Sequence, residues 1–128
     1  MTDPRAFFDR YARAFEDGDV AAIASFFALP ALFTRAGVPV EVATAEALQL
    51  SVAELLAAHV ERDVARIRPA GVVVLETNEA HTVVRVDWQL DRLARPGAPP
   101  PEPWRYATTY VVLPDDRIAA ALTHGSPF

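Results

Sequence analysis

Tyr11, His59 and Arg35 are the side chains in this sequence best suited to act on a ligand. The phenol of Tyr11 can donate a hydrogen bond to a ligand oxygen, or leave its polar tip at the rim of a packed core. His59 is the best general acid or base by residue type, because an unperturbed imidazole titrates near neutrality. A histidine at a helix–sheet boundary is also commonly just packed and hydrogen-bonded. Arg35 keeps its charge at any ordinary pH, so pointing inward it would give a pocket a fixed cation suited to a carboxylate or enolate. A one-residue slip in register would turn it to solvent, and Gly37 nearby marks a hairpin end that favours the solvated orientation. His59 and Asp63 have i, i+4 spacing that could serve a metal, but no third ligand is identifiable and no metal or cofactor is expected. No Ser-His-Asp arrangement, phosphate loop or glycine-rich nucleotide motif is present.

Those residues must be positioned by a recognisable order of elements. Asp3-Pro4 predicts a helix start, with a capping carboxylate and proline at the first helical position. Phe7, Phe8, Tyr11, Ala14 and Phe15 recur at helical spacing. Gly18 predicts a left-handed stop, and Asp19 a second cap leading into Val20, Ile23, Phe26 and Phe27, with Pro30 closing that helix. Ala31–Arg35 and Val38–Val42 read as strands around an Ala36-Gly37 turn. A third helix begins at Thr44 or Ser51, carries Val52, Leu55, Leu56, Val60, Val64 and Ile67 as its stripe, and ends at Pro69-Ala-Gly71. Strands follow over Val72–Glu76, Thr82–Asp91, Trp104–Leu113 and Arg117–Thr123. In the second of these, Thr82, Val84, Val86, Trp88 and Leu90 alternate with Val83, Arg85, Asp87, Gln89 and Asp91, which turns Asp87 and Asp91 outward. Arg95–Pro103 reads as a stiff loop inside the domain, since cutting there would leave two fragments too small to fold. The order ααββαββββ indicates one α+β domain over residues 1–128, a curved antiparallel sheet with helices on its concave side.

Composition narrows the function further. The chain has 128 residues, is 52% hydrophobic, has a formal net charge of -5 and contains no cysteine. That excludes a thiol nucleophile, a disulfide framework and a zinc–thiolate site, and it gives no electrostatic footprint for nucleic acid. No apolar run approaches the ~20 residues that span a bilayer, and the N-terminus lacks the form of a signal peptide. A cytoplasmic location is the expectation.

The helix-Gly-Asp-helix entry from Tyr11 to Phe27, the strand VRVDWQL (Val84–Leu90) and the ending VVLPDDRIAAALTH resemble the nuclear transport factor 2-like superfamily, nearest to its uncharacterised stand-alone members. That group includes ketosteroid isomerases, polyketide cyclases and dehydratases. The resemblance implies a cone-shaped, cystatin-like fold whose sheet wraps a long helix around an apolar pocket, and a homodimer formed through the outer sheet face. It implies a pocket containing Tyr11, Phe15, Phe33, Arg35 and His59, with Val84, Val86 and Trp88 from one strand and Arg105 and Ala107 from the next. Consecutive strand residues face opposite sides, so Tyr106 and Tyr110 are expected on the dimer face. The resembling isomerases use a helix tyrosine seven residues before the glycine, and Tyr11 stands at that spacing. Their aspartate base falls at Arg35 and their aspartic acid at Ala107, so ketosteroid isomerase activity is rejected. Three functions stay open. The domain could bind a small apolar organic ligand. It could be a cyclase, isomerase or dehydratase using His59 with Tyr11 or Arg35. It could also be a structural or partner-binding domain whose cone its own side chains fill.

Overall fold

The local signals at the N-terminus act as read. In the computed structural model, which describes residues 1, 3–126 and 128, helix α1 spans Pro4–Glu16. The Asp3 carboxylate accepts from the Ala6 amide at 3.0 Å, and Pro4 needs no donor at the first helical position. Phe7, Phe8, Tyr11, Ala14 and Phe15 are its buried face. Gly18 takes a φ of 65°, where a side chain would be strained. Asp19 then caps α2, Val20–Ser25, by accepting from the Ala22 amide at 3.0 Å.

Helix α2 stops earlier than its apolar spacing predicts. Phe27 already belongs to strand β1, Phe27–Arg35, and Pro30 lies inside that strand instead of ending the helix. Proline is tolerated there because the pairing of β1 with β6 (Ile118–His124) is irregular between Phe27 and Leu32, so no ladder bond needs its missing N–H. Ala36 and Gly37, with φ of 50° and 79°, make the tight turn into β2, Val38–Val42.

The largest departure lies at the end of the third helix. Helix α3 spans Ala45–Glu61, with the Thr44 hydroxyl accepting from the Ala47 amide at 3.2 Å, so Ser51 is an interior residue. Asp63 breaks the helix at a φ of 58°, and Val64 and Ile67 fall on strand β3, Val64–Thr77. Val60, placed on the buried stripe by its spacing, is 77% exposed. Pro69-Ala70-Gly71 interrupts β3 as a register shift and terminates nothing. A Cβ at Gly71 would stand 3.0 Å from Asp87 Oδ2, close enough that the Asp87 side chain would have to give way.

Asn78 closes the next turn by accepting from the amides of Ala80 and His81 at 2.8 and 3.0 Å. Strands β4, Thr82–Arg92, and β5, Trp104–Val112, flank the proline-rich loop, and β6 returns after Pro114–Asp116. The six strands form one curved, unclosed sheet in the order β2-β1-β6-β5-β4-β3, antiparallel except for the parallel pair β1–β6. The element order is ααββαββββ. Helix α1 lies against the concave face, where Phe8 meets Trp88 and Tyr110 at centroid separations of 6.4 and 4.6 Å. Val84, Val86, Leu90 and Val112 are fully buried beneath it. No helix among the described residues is long and apolar enough to cross a membrane.

Candidate functional site

The concave face of the sheet and helices α1 and α3 leave a cavity of about 110 Å³ between them. Helix α1 contributes Tyr11 and Phe15, β1 contributes Phe27, Phe33 and Arg35, and α3 contributes Val52, Leu55 and His59. Trp88 of β4 and Tyr106, Thr108 and Tyr110 of β5 form the sheet wall. Phe15, Phe33 and Trp88 line this space without filling it.

The structure brings together six of the ten residues expected from the sequence, namely Tyr11, Phe15, Phe33, Arg35, His59 and Trp88. Val84 and Val86 share the inward face of β4 but are fully buried in the core beside the cavity. Arg105 and Ala107 are on the other face of the sheet. The cause is the pairing between β4 and β5. Trp88 stands opposite Tyr106 and Val84 opposite Tyr110, and residues directly opposite share a face. Tyr106 and Tyr110 therefore point inward, and Tyr110 is 3% exposed, which removes both from any outer dimer face. Arg105 pairs with Gln89 and Ala107 with Asp87, on the outside. Tyr106 and Thr108, the inward neighbours of Ala107, bring no carboxylic acid to the wall.

Three polar groupings interrupt the apolar wall, the third around Arg35. In the first, Trp88 Nε1 donates to Tyr110 Oη at 3.0 Å. An indole N–H can only donate, so the proton of Tyr110 is free to point elsewhere. Burial holds the Tyr110 hydroxyl up at about 12, against the opposing hydrogen bonds from Trp88, Tyr11 and Thr108. Burial, followed by the neighbouring Tyr110, raises Tyr11 well above its ordinary value. Tyr106 is raised too, by burial and then Tyr110. These phenols are neutral donors throughout the physiological range. Beside them, the hydroxyls of Thr108 and Thr123 are 2.9 Å apart, and the Thr123 amide donates to Thr34 Oγ1 at 2.9 Å.

The second grouping is His59. It is 7% exposed, and its Nε2 is buried with no hydrogen-bond partner among the described residues. Burial, then the nearby Arg62 charge, lowers its pKa to about 4. The imidazole is neutral at pH 7, with roughly one molecule in a thousand protonated. It therefore has no proton to offer as an acid, and it is a weak base. The Phe15 ring neighbours both groups, with centroids 6.0 Å from His59 and 5.0 Å from Tyr11.

Arg35 faces the cavity and not open solvent, with its side chain 30% exposed. Its Nη1 donates to the Ser51 carbonyl at 3.3 Å and lies 3.6 Å from Glu54 Oε2, so its charge is shared with α3. Asp63 does not face His59 across a metal site, because Arg95 Nε donates to its carboxylate at 3.1 Å. Phe128 was missed by sequence reasoning. It stands on the cavity wall beside His59, far from either helix in the chain and without a periodic signal.

The sequence matches, over residues 3–120, the family described as NTF2-like protein (DUF6841), in line with the resemblance carried by its motifs. No protein with a curated description matches it. Among solved structures it is similar to a protein of Sinorhizobium meliloti with a provisional polyketide cyclase assignment, at 18% identity over 93% of this chain and 94% of that one, with a TM-score of 0.65. A second protein with that provisional assignment, from Xanthomonas campestris, is 16% identical over 97% and 93% of the two chains, with a TM-score of 0.59. An NTF2-like protein with a cystatin-like fold from Novosphingobium aromaticivorans is 13% identical over 96% and 81%, with a TM-score of 0.68. At these identities the likeness establishes the fold alone.

Proposed function

The chain belongs to the NTF2-like family, and from that premise we propose that its cone holds a small, uncharged, largely apolar organic molecule, with no reaction assigned. The observation that carries this reading is the cavity of about 110 Å³, walled largely by aromatic rings with uncharged hydroxyls among them. A dry cavity of about 150 Å³ lined by apolar side chains is enough to bind benzene. The present space is smaller than that, so it holds one ring at most. Its polar groups are neutral phenols, threonine and serine hydroxyls and a neutral imidazole, and its arginine is shared with Glu54 and the Ser51 carbonyl. A carboxylate entering there would shed its hydration and compete with Glu54 for Arg35.

An enzyme built on His59 with Tyr11 or Arg35 is the weaker reading. Burial holds His59 neutral at pH 7, so it carries no ready proton to donate. The provisional cyclase assignments of two structural neighbours raise the prior for chemistry on this scaffold, but a fold does not supply a reaction.

Isothermal titration calorimetry with toluene and with benzoate tests the reading. A seven-heavy-atom ligand of good efficiency binds with a Kd on the order of 0.1–1 mM. Saturable 1:1 binding of toluene with benzoate silent is the expected result. Tighter binding of benzoate would transfer the site to anions and restore Arg35 as its anchor.

We propose further that the outer sheet face pairs with a second copy of the chain. Leu32, Ala120, Val111 and Val83 lie in register across four strands on that face. Leu32 is 38% exposed and the others are half-buried, which gives a flat apolar row without a covering layer. Light scattering should report a dimer, and a monomer at all concentrations would remove the proposal.

A further inference from the structure

The mouth of the cavity already has a ring in it. Phe128, beyond β6, meets His59 edge-on with centroids 4.6 Å apart and Trp104 edge-on at 5.4 Å. The Arg62 guanidinium lies over its ring at 5.0 Å. The seat is therefore built from the end of α3 and the start of β5, and it is suited to an electron-rich ring. Its occupant is lightly tied. Phe128 has no strand partner, its carbonyl accepts from the Ala36 amide at 3.0 Å, and its amide donates to Ser126 Oγ at 3.0 Å. Gly125, at a φ of 76°, turns the chain into this position.

Beside the seat is an unmet polar demand. The His59 ring lies between Phe15 and Phe128, and neither phenyl supplies a conventional donor or acceptor to its buried, unpartnered Nε2. Buried polar atoms are almost always paired, so such an atom on a cavity wall marks where a ligand group can bond. A hydroxyl suits it best, because it can donate to or accept from either imidazole tautomer.

We propose that the seat of Phe128 is the outer half of the ligand site. An uncharged, flat two-ring molecule bearing one hydroxyl takes the place of the Phe128 ring between Trp104 and His59. Its inner ring occupies the cavity, and its hydroxyl bonds to His59 Nε2. Phe128 is then a built-in competitor that fills the outer half when no ligand is present. This rests on the ligand-binding reading above and adds the size and polarity of the ligand. Size follows from volume, since about 110 Å³ admits one ring and a second must use the space Phe128 holds.

The test titrates native protein and Phe128→Ala calorimetrically with toluene and with 2-naphthol, and native protein with 2-methylnaphthalene. 2-Naphthol should bind Phe128→Ala at least tenfold more tightly than native protein. Toluene, a single ring that cannot span both halves, should gain by a clearly smaller factor than 2-naphthol, although Phe128 is part of its wall as well. Native protein should prefer 2-naphthol to 2-methylnaphthalene by about fivefold or more, the worth of one net hydrogen bond. Equal 2-naphthol affinities in the two proteins, or no preference for the hydroxyl, would overturn the inference, while toluene binding would leave the broader reading intact. No binding of any probe to either protein would overturn both. If Phe128→Ala does not fold, Phe128→Leu, which opens less space, should shift 2-naphthol in the same direction by a smaller factor, and an unchanged affinity counts against the inference.

Discussion

Acidifying the native protein from pH 7 to pH 4 should destabilise it by about 3 kcal/mol more than it destabilises a His59→Phe variant. His59 has a folded pKa of about 4. An unfolded histidine titrates near 6.5. Between those values the unfolded chain binds a proton that the folded protein does not, so stability falls as pH drops. The full contribution is present above pH 6.5, is lost through the window from 6.5 to 4, and is gone below it. A separation of about 2.5 units at about 1.36 kcal/mol each gives roughly 3 kcal/mol. Other groups also titrate here, including carboxylates that the native protein pairs. They are common to both proteins and cancel in the difference. Urea unfolding followed by tryptophan fluorescence at pH 7, 6, 5 and 4 supplies the two curves. Curves that stay parallel within 1 kcal/mol would refute the reasoning. So would an NMR titration of the His59 ring with a midpoint above about 6, since that would mean the imidazole is solvated or partnered.

Three further outcomes follow from particular contacts. Tyr110→Phe removes the acceptor of Trp88 Nε1 and leaves a buried indole N–H unpaired, so urea unfolding should show a loss of about 1–3 kcal/mol; a neutral result would mean that water reaches the indole. Asp19→Ala removes the cap of α2 and should cost about 1 kcal/mol by thermal or chemical denaturation, with no effect on toluene affinity. Val111→Lys places a charge in the centre of the outer apolar row and should convert the proposed dimer to a monomer in light scattering while leaving the circular dichroism spectrum unchanged.

The parts legible in the sequence are those decided within a few residues. Asp3, Gly18 and Asp19 act through hydrogen bonds and dihedral angles spanning one helical turn, and each behaves as its residue type requires. The alternation of Thr82 to Leu90 likewise reports a half-buried strand, because one face of β4 is buried along its whole length. The junction of α3 and β3 was hidden for a specific reason. Val64 and Ile67 continue the helical spacing of Val52 and Val60 by coincidence, and the break at Asp63 uses a left-handed residue that is not glycine. Pro69 and Gly71 then look like a terminator, although in the sheet they accommodate a bulge and the close approach of Asp87.

The site was legible in its first wall and not in its second. Tyr11, Phe15 and Trp88 follow from helix and strand periodicity alone. Which face Tyr106 and Tyr110 take depends on their pairing with Trp88 and Val84 across a long loop, and period 2 does not set its own phase. The Trp88–Tyr110 hydrogen bond, the seclusion of His59 and the seating of Phe128 arise from contacts between residues distant in the chain. No local pattern encodes them.

The most direct test of ligand binding in the cone is an NMR titration with 2-naphthol, watching the Trp88 indole N–H. That group sits on the cavity wall and is assignable against a Trp88→Phe variant. Binding in the cone predicts a saturable shift of this signal and of the His59 ring, with the outer sheet face unmoved and with 2-naphthoate producing no such shift. A Trp88 signal that stays fixed while surface resonances drift linearly would contradict it.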